Sequence, residues 1–204
     1  SYTPYLNCES SSTVAAQIFL MDSGGGTIEK AITDSQIQWI REQINQSTVP
    51  AVAFQHIPTK SHAFVGEDVC QGLHDDGVDA VDYDGGLMEA LSESERFLFL
   101  AVGHNHGNDY CCRYNNSFHN ESSLHVCFGR HSGHGGYGTW DRGCRVYLLE
   151  YDDEVDETTT SLVNESMSTT SEEEIDFASH STMRWSSWVR LETGEVIDAI
   201  EVRG

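Results

Sequence analysis

The sequence predicts a mixed α/β fold organised on parallel strand pairs. Apolar runs at 14–21, 51–54 and 97–102 have the length of buried strands. A capped amphipathic segment lies between the first two, which is the order of a strand–helix–strand unit with a right-handed crossover. The chain closes with two runs, Met183 to Leu191 and Val196 to Val202, on either side of Glu192-Thr-Gly-Glu195, the pattern of an antiparallel hairpin.

Taken in order, residues 1–13 are polar and read as a loop. Val14 to Met21 is a strand that ends at Asp22-Ser-Gly-Gly-Gly26. A strand-end aspartate is chemically able to bind metal, but turns are its ordinary place, and Asp22 is read as a turn residue. Thr33-Asp-Ser-Gln36 is a capping box, with Thr33 at the N-cap and Gln36 reaching back. Ile37, Ile40 and Ile44 then share one helical face, with Trp39 beside them, so a helix runs to about Gln46. After Pro58 a long polar stretch reaches Asp84. His74-Asp75-Asp76 within it invites a metal reading, yet solvated loop charge explains it as well. His62 and His74 are placed on a loop rim, and loops this long often border functional sites. Gly85 to Ser94 is a short helix with Leu87, Met88 and Leu91 inward. Leu124 to Phe128 and Gly143 to Tyr151 are further strands. Residues 152–181 are poor in apolar side chains and rich in Glu, Ser and Thr, the composition of a flexible acidic insert.

The chemistry concentrates at two strand ends. Phe97 to Val102 stops at Gly103, and His104 and His106 follow with one residue between them; Ala51 to Gln55 likewise delivers His56. Residues just past the carboxyl end of a buried strand lie at an exposed rim, where α/β sheets place ligands. Imidazoles gathered there can bind one or two metal ions. The bland alternative is a set of polar loop histidines, which is the usual fate of a bare His-x-His. Downstream, Gly129 to Gly138 holds five glycines with Arg130, His131 and His134. Its backbone N–H groups could cradle phosphate, with Arg130 and His131 lining the pocket, although it lacks the lysine and helix start of a P-loop. A plain tight loop fits equally well.

Three segments together resemble the calcineurin-like metallophosphoesterases, in particular their small purple-acid-phosphatase-like branch. They are His56-Ile-Pro58 at a strand end, Gly103-His104-Asn105-His106, and the run Phe128-Gly-Arg-His-Ser-Gly-His-Gly-Gly-Tyr-Gly138. The resemblance covers roughly Phe19 to Arg203. It implies a four-layer αββα sandwich of mixed sheets with flanking helices. It also implies hydrolysis of phosphate monoesters at a two-metal centre, where a metal-bound hydroxide attacks phosphorus in line. His56 and His104 would serve one metal and His106 the other, the ions being iron, zinc, manganese or magnesium. The early motifs of that family, Asp-x-His, Gly-Asp-x-x-Asp and Gly-Asn-His-Asp, are absent from these 204 residues. The bridging carboxylate and the general acid are therefore expected in a missing amino-terminal half, and residues 1–204 would be the carboxyl-terminal portion of one domain. The competing readings are a noncatalytic secreted module and a single-metal-binding protein that retain the same histidines.

Composition narrows the partners. With 33 acidic against 11 basic residues, the chain lacks the basic surface that nucleic acid or an anionic membrane requires, and no apolar run is long enough to span a bilayer. Six cysteines, at 8, 70, 111, 112, 127 and 144, and four Asn-x-Ser sequons, at Asn45, Asn115, Asn120 and Asn164, fit a secreted, secretory-pathway or vacuolar protein. Cys127 is expected to pair with Cys111 or Cys112, closing a short excursion between strands at a gain of about 3 kcal/mol. The other member of the adjacent pair would then find Cys70 or Cys144. Replacing Asp152–Asp176, which holds ten acidic residues and no Lys or Arg, with a short Gly/Ser linker is expected to leave the thermal melt nearly unchanged. A circular-dichroism melt of the deletion checks this, and failure to fold would show that the segment packs against the domain.

Overall fold

The computed structural model describes residues 2–7, 14–65, 70–114, 123–152 and 182–203. Three of the four sequons, Cys8, and the acidic insert beyond Asp152 lie outside the described residues. Asn45 is exposed at the end of the first helix.

Among the described residues the chain forms two sheets and two α-helices. Strands β1 (Tyr5–Asn7), β2 (Val14–Leu20), β3 (Ala51–Phe54), β4 (Cys70–Gln71), β5 (Phe97–Val102), β6 (Cys111–Arg113) and β7 (His125–Phe128) form a mixed sheet in the order β1-β2-β3-β5-β7-β6-β4. Its centre, β2-β3-β5-β7, is parallel, and its margins are antiparallel. Strands β8 (Gly143–Asp152), β9 (Thr182–Leu191) and β10 (Val196–Arg203) form an antiparallel sheet in the order β10-β9-β8. Helix α1 (Asp34–Asn45) begins at the expected capping box, the Thr33 side chain and the Gln36 side chain each accepting the other residue's backbone N–H. Helix α2 is Leu87–Glu93, with Leu87, Met88 and Leu91 buried. The mixed α/β class and the closing hairpin stand as the sequence predicted them.

Two cores flank the large sheet. Ile37 and Ile40 of α1 and Leu87, Met88 and Leu91 of α2 pack against Phe19, Phe97, Leu100 and Val102 on one face. Val52, Phe99 and Ala101 pack on the other against Trp185 of the small sheet, with Tyr147 stacked on Phe99 at 4.3 Å. Each such apolar side chain contributes about 1.5–3 kcal/mol on burial. Phe97 and Phe99 would share a face in a regular strand. They serve opposite cores because the β3–β5 pairing shifts between Ala51↔Phe97 and Val52↔Phe99. That bulge changes the phase of the strand, so that both phenylalanines are buried.

Strand β6 was not expected from the sequence. It exists because consecutive strand residues face opposite ways. Cys111 lies directly opposite Cys127 of β7 and Cys112 directly opposite Cys70 of β4, and both pairs are disulfides. Adjacent cysteines thus staple one short strand to both neighbours: of the pairings left open, Cys127 takes Cys111, and Cys112 takes Cys70 rather than Cys144. Cys144 is exposed and has no disulfide partner among the described residues. No helix among the described residues is long and apolar enough to cross a membrane, and the two disulfides fit an extracellular or secretory-pathway protein.

Two expectations are corrected. Residues 5–7 are not loop but an edge strand on β2, an assignment that depends on a partner rather than on local pattern. His62 is not on the rim. The turn Lys60–Ala63 carries it beneath the strand ends, where it is fully buried, edge-on to Phe128 and 3.0 Å from Thr59 Oγ1. The Tyr110 hydroxyl donates to its carbonyl at 2.7 Å. His74 does lie exposed, over Tyr110 at 4.3 Å.

Two measurements follow from this packing. Non-reducing peptide mapping is expected to recover Cys111–Cys127 and Cys70–Cys112; Cys127 found as a free thiol would overturn the pairing. Burial pushes the His62 imidazole down to about 3 from 6.5. Between those values the unfolded chain binds a proton that the native chain refuses, so the contribution is present above pH 6.5 and is lost as pH falls. Urea denaturation at about pH 7.5 and about pH 5 should show roughly 2 kcal/mol more acid destabilisation in the wild type than in His62→Gln. Equal losses would show that His62 titrates normally in the native state.

Candidate functional site

Strand register builds the site. β3 and β5 are parallel neighbours with Phe54 opposite Ala101. The ladder continues past both ends: Gln55 N–H donates to the Ala101 carbonyl at 3.0 Å, and Gly103 N–H donates to the His56 carbonyl at 2.9 Å. His56 therefore lies beside Gly103, and His104 is one residue further. Gly103 suits this approach, since a Cβ there would stand 3.3 Å from His56 Nδ1. His104 itself has φ +75°, a conformation that non-glycine residues adopt at a cost of about 1–3 kcal/mol and that clusters at functional sites.

The result is a pair of imidazoles set edge to face, His56 Nε2 lying 3.4 Å from His104 Nδ1. That is long for a hydrogen bond between nitrogens. It matches the separation of two ligands on one tetrahedral ion, which is about 3.4 Å for metal–nitrogen bonds of about 2.0–2.1 Å. Burial first, then the neighbouring His104 and His106, holds the His56 imidazole below its ordinary range. The neutral form is favoured, and neutral imidazole is the ligating form.

His106 does not join this pair. Its ring is sandwiched between His131, centroid distance 4.0 Å, and Tyr137, at 4.3 Å, and its Nδ1 lies 2.9 Å from the Tyr137 carbonyl. The Gly-rich loop makes this possible: Gly136 has φ +98°, and a Cβ there would run into the His106 ring. Among the described residues, no three His, Cys, Asp or Glu side chains are gathered around one metal position. By their spacing, His56 and His104 could offer two of the four positions of a tetrahedral shell and no more. His106 is set apart, with its Nδ1 already occupied.

The other two expected residues are placed as follows. Arg130 turns inward. Its guanidinium lies 2.8 Å from Asp109 Oδ2 in an ion pair that is 6% exposed at the arginine and 0% at the aspartate, and its Nε donates to the Asp141 carbonyl. His131 is occupied in the stack. Neither borders the open cleft of about 640 Å³ in front of His104, which is lined by Asp76, Val78, Asp79, Asn105 and Tyr137 among others.

Of the carboxylates of this cleft, sequence reasoning weighed Asp76 and set it aside as loop charge, and it did not single out Asp79. Asp79 Oδ2 lies 2.9 Å from His104 Nε2, and Oδ1 lies 2.6 Å from Lys30 Nζ. Lys30 first and His104 second hold the Asp79 carboxyl below its usual range. Asp76 accepts from the Tyr137 hydroxyl, and Asp75 accepts from Trp140 Nε1 at 2.8 Å. The 72–79 segment is fastened to the strand ends: Asp75 N–H donates to the Gly107 carbonyl, Asp76 N–H to Asn108 Oδ1 and Leu73 N–H to Asp109 Oδ1. No local pattern announces this fastening. The length of the loop between Pro58 and Asp84 was the available signal.

Over 108 residues, 52% of its length, the chain is 26% identical to the probable inactive purple acid phosphatase 29 of Arabidopsis thaliana. The matched region spans about a quarter of that protein, 26%, and the similarity is a distant, partial link to the purple acid phosphatase family. No family model and no solved structure matches.

Proposed function

We propose that the chain is the carboxyl-terminal part of a four-layer metallophosphoesterase domain and supplies histidine ligands to a two-metal phosphate-monoester hydrolase. The single observation that carries this reading is the His56–His104 pair at the ends of adjacent parallel strands, spaced like two ligands of one ion. The helix–sheet–sheet layering and the partial similarity to a purple acid phosphatase support it.

In this reading His56 Nε2 and His104 Nδ1 would hold one metal ion, and His106, through its remaining Nε2, would reach toward the second. Bound there, iron, zinc, manganese or magnesium would supply Lewis-acid charge and an activated water for attack on the phosphate ester. The chain's own part is to fix the two imidazoles by backbone register and to keep His56 neutral. It also keeps the cleft in front of His104 open to a substrate. Arg130 and His131 receive no substrate role, since an ion pair and a ring stack already engage them. Imidazoles bring no negative charge to offset two close cations, so this reading assigns the bridging carboxylate to the amino-terminal half.

A noncatalytic module that retains these histidines is the second reading. It is favoured by the name of the matched protein, a probable inactive phosphatase, and by the engagement of His106 Nδ1. Alone, the chain should bind Zn²⁺ weakly in calorimetry and hydrolyse p-nitrophenyl phosphate hardly at all. Adding the amino-terminal half, fused or in trans, should restore turnover. In that enzyme His104→Ala should lower activity by more than about a hundredfold, while His134→Ala, on an exposed loop position, should leave it unchanged. His62→Ala is no control, because His62 is core. Ordinary turnover by the isolated chain would sink the split-site reading. Zinc binding by the reconstituted pair without turnover would establish the noncatalytic one.

A further inference from the structure

Asp79 precedes His104 by 25 residues in sequence and lies against it in space. Its two oxygens have different partners: Oδ2 meets His104 Nε2 at 2.9 Å, and Oδ1 meets Lys30 Nζ at 2.6 Å. Its backbone N–H donates to Asn105 Oδ1 at 3.3 Å, next to His104 in the chain. Both side chain and backbone are therefore tied to the same turn.

The chemistry of these contacts is directional. A neutral imidazole carries one ring N–H, and an ionised carboxylate only accepts. The His104 proton therefore belongs on Nε2, facing Asp79, and Nδ1 is left with its lone pair. Nδ1 is the nitrogen that faces His56 Nε2 at 3.4 Å. We infer that Asp79 is a positioning residue, which with Lys30 behind it holds His104 in the Nε2–H tautomer and aims the Nδ1 lone pair at the position shared with His56. This rests on the reading of the histidine pair as metal ligands. A carboxylate behind a ligating imidazole fixes tautomer and ring orientation in metal sites generally, and its loss costs about ten- to a hundredfold in metal affinity.

A merely structural Asp79–Lys30 contact is the alternative. The Asp79 side chain is 57% exposed, and a surface ion pair of that kind contributes little to stability. Asp79→Ala should consequently fold like the wild type, and the two roles separate in spectroscopy. The test uses the full chain, ¹⁵N-labelled and metal-free, at about pH 8, with long-range ¹H–¹⁵N correlation of the imidazoles and His104→Gln to assign the signal. The wild type is expected to show the Nε2–H pattern at His104. Asp79→Ala should lose it and bind Zn²⁺ about ten- to a hundredfold more weakly. Asp79→Asn, which keeps an acceptor oxygen, should recover most of the pattern.

An unchanged His104 pattern in Asp79→Ala would overturn the inference. Loss of zinc binding with that pattern intact would also overturn it, by making Asp79 a direct ligand. If the pattern depends on Asp79 but the wild type binds no Zn²⁺, the positioning stands and the ligand reading of the pair falls.

Discussion

Gly103 donates its N–H to the His56 carbonyl, and through this bond two strand ends become one surface. Everything at the candidate site is downstream of that parallel pairing. Parallel strands point their carboxyl ends the same way, so residues just beyond each end meet at one rim. The register then decides which residues meet. With Phe54 opposite Ala101, His56 and His104 are brought into contact; a slip of one residue would turn each side chain to the other face. A weakly held pair of strands could not hold two imidazoles 3.4 Å apart. The phenylalanines on both sides of β5, and the bulge that lets both faces be used, make the register firm.

The same sheet supports the cleft from its other margin. β6 is only three residues long, and its two adjacent disulfides fasten it to β7 and β4. The residues just before it, Asn108 and Asp109, anchor the polar loop that brings in Asp76 and Asp79. Asp109 binds the Leu73 N–H with one oxygen and Arg130 with the other, and its carbonyl accepts from Arg145. One buried aspartate, through its carboxylate and its backbone carbonyl, thus joins the acidic loop, the Gly-rich loop and the small sheet. An arginine that could have faced substrate is consumed by this structural demand, because an unpaired buried aspartate would cost several kcal/mol.

The two histidines of Gly-His-x-His meet different environments although one residue separates them. His104 takes up a left-handed backbone and stands at the open cleft between His56 and Asp79. His106 is covered by the Gly-rich loop and held in a stack of three rings. Stacking and the contact with the Tyr137 carbonyl hold His106, whereas His104 Nδ1 faces His56 Nε2 at 3.4 Å.

Much of this protein was determined by the sequence alone: the mixed α/β class, α1 from its capping box, the central strands from their apolar runs, the closing hairpin, and three histidines just past strand ends. These rest on periodicity, capping chemistry and strand-end position, all of which are local. Tertiary structure decided the rest. It made residues 5–7 a strand by offering them the edge of β2, and it made Cys111–Arg113 a strand through two disulfides. It buried His62 beneath Tyr110 and Phe128, turned Arg130 to Asp109, and brought Asp79 across 25 residues to His104. In each case the deciding contact is made by a residue far away in the chain, and local pattern carries no record of which distant partner a side chain will meet.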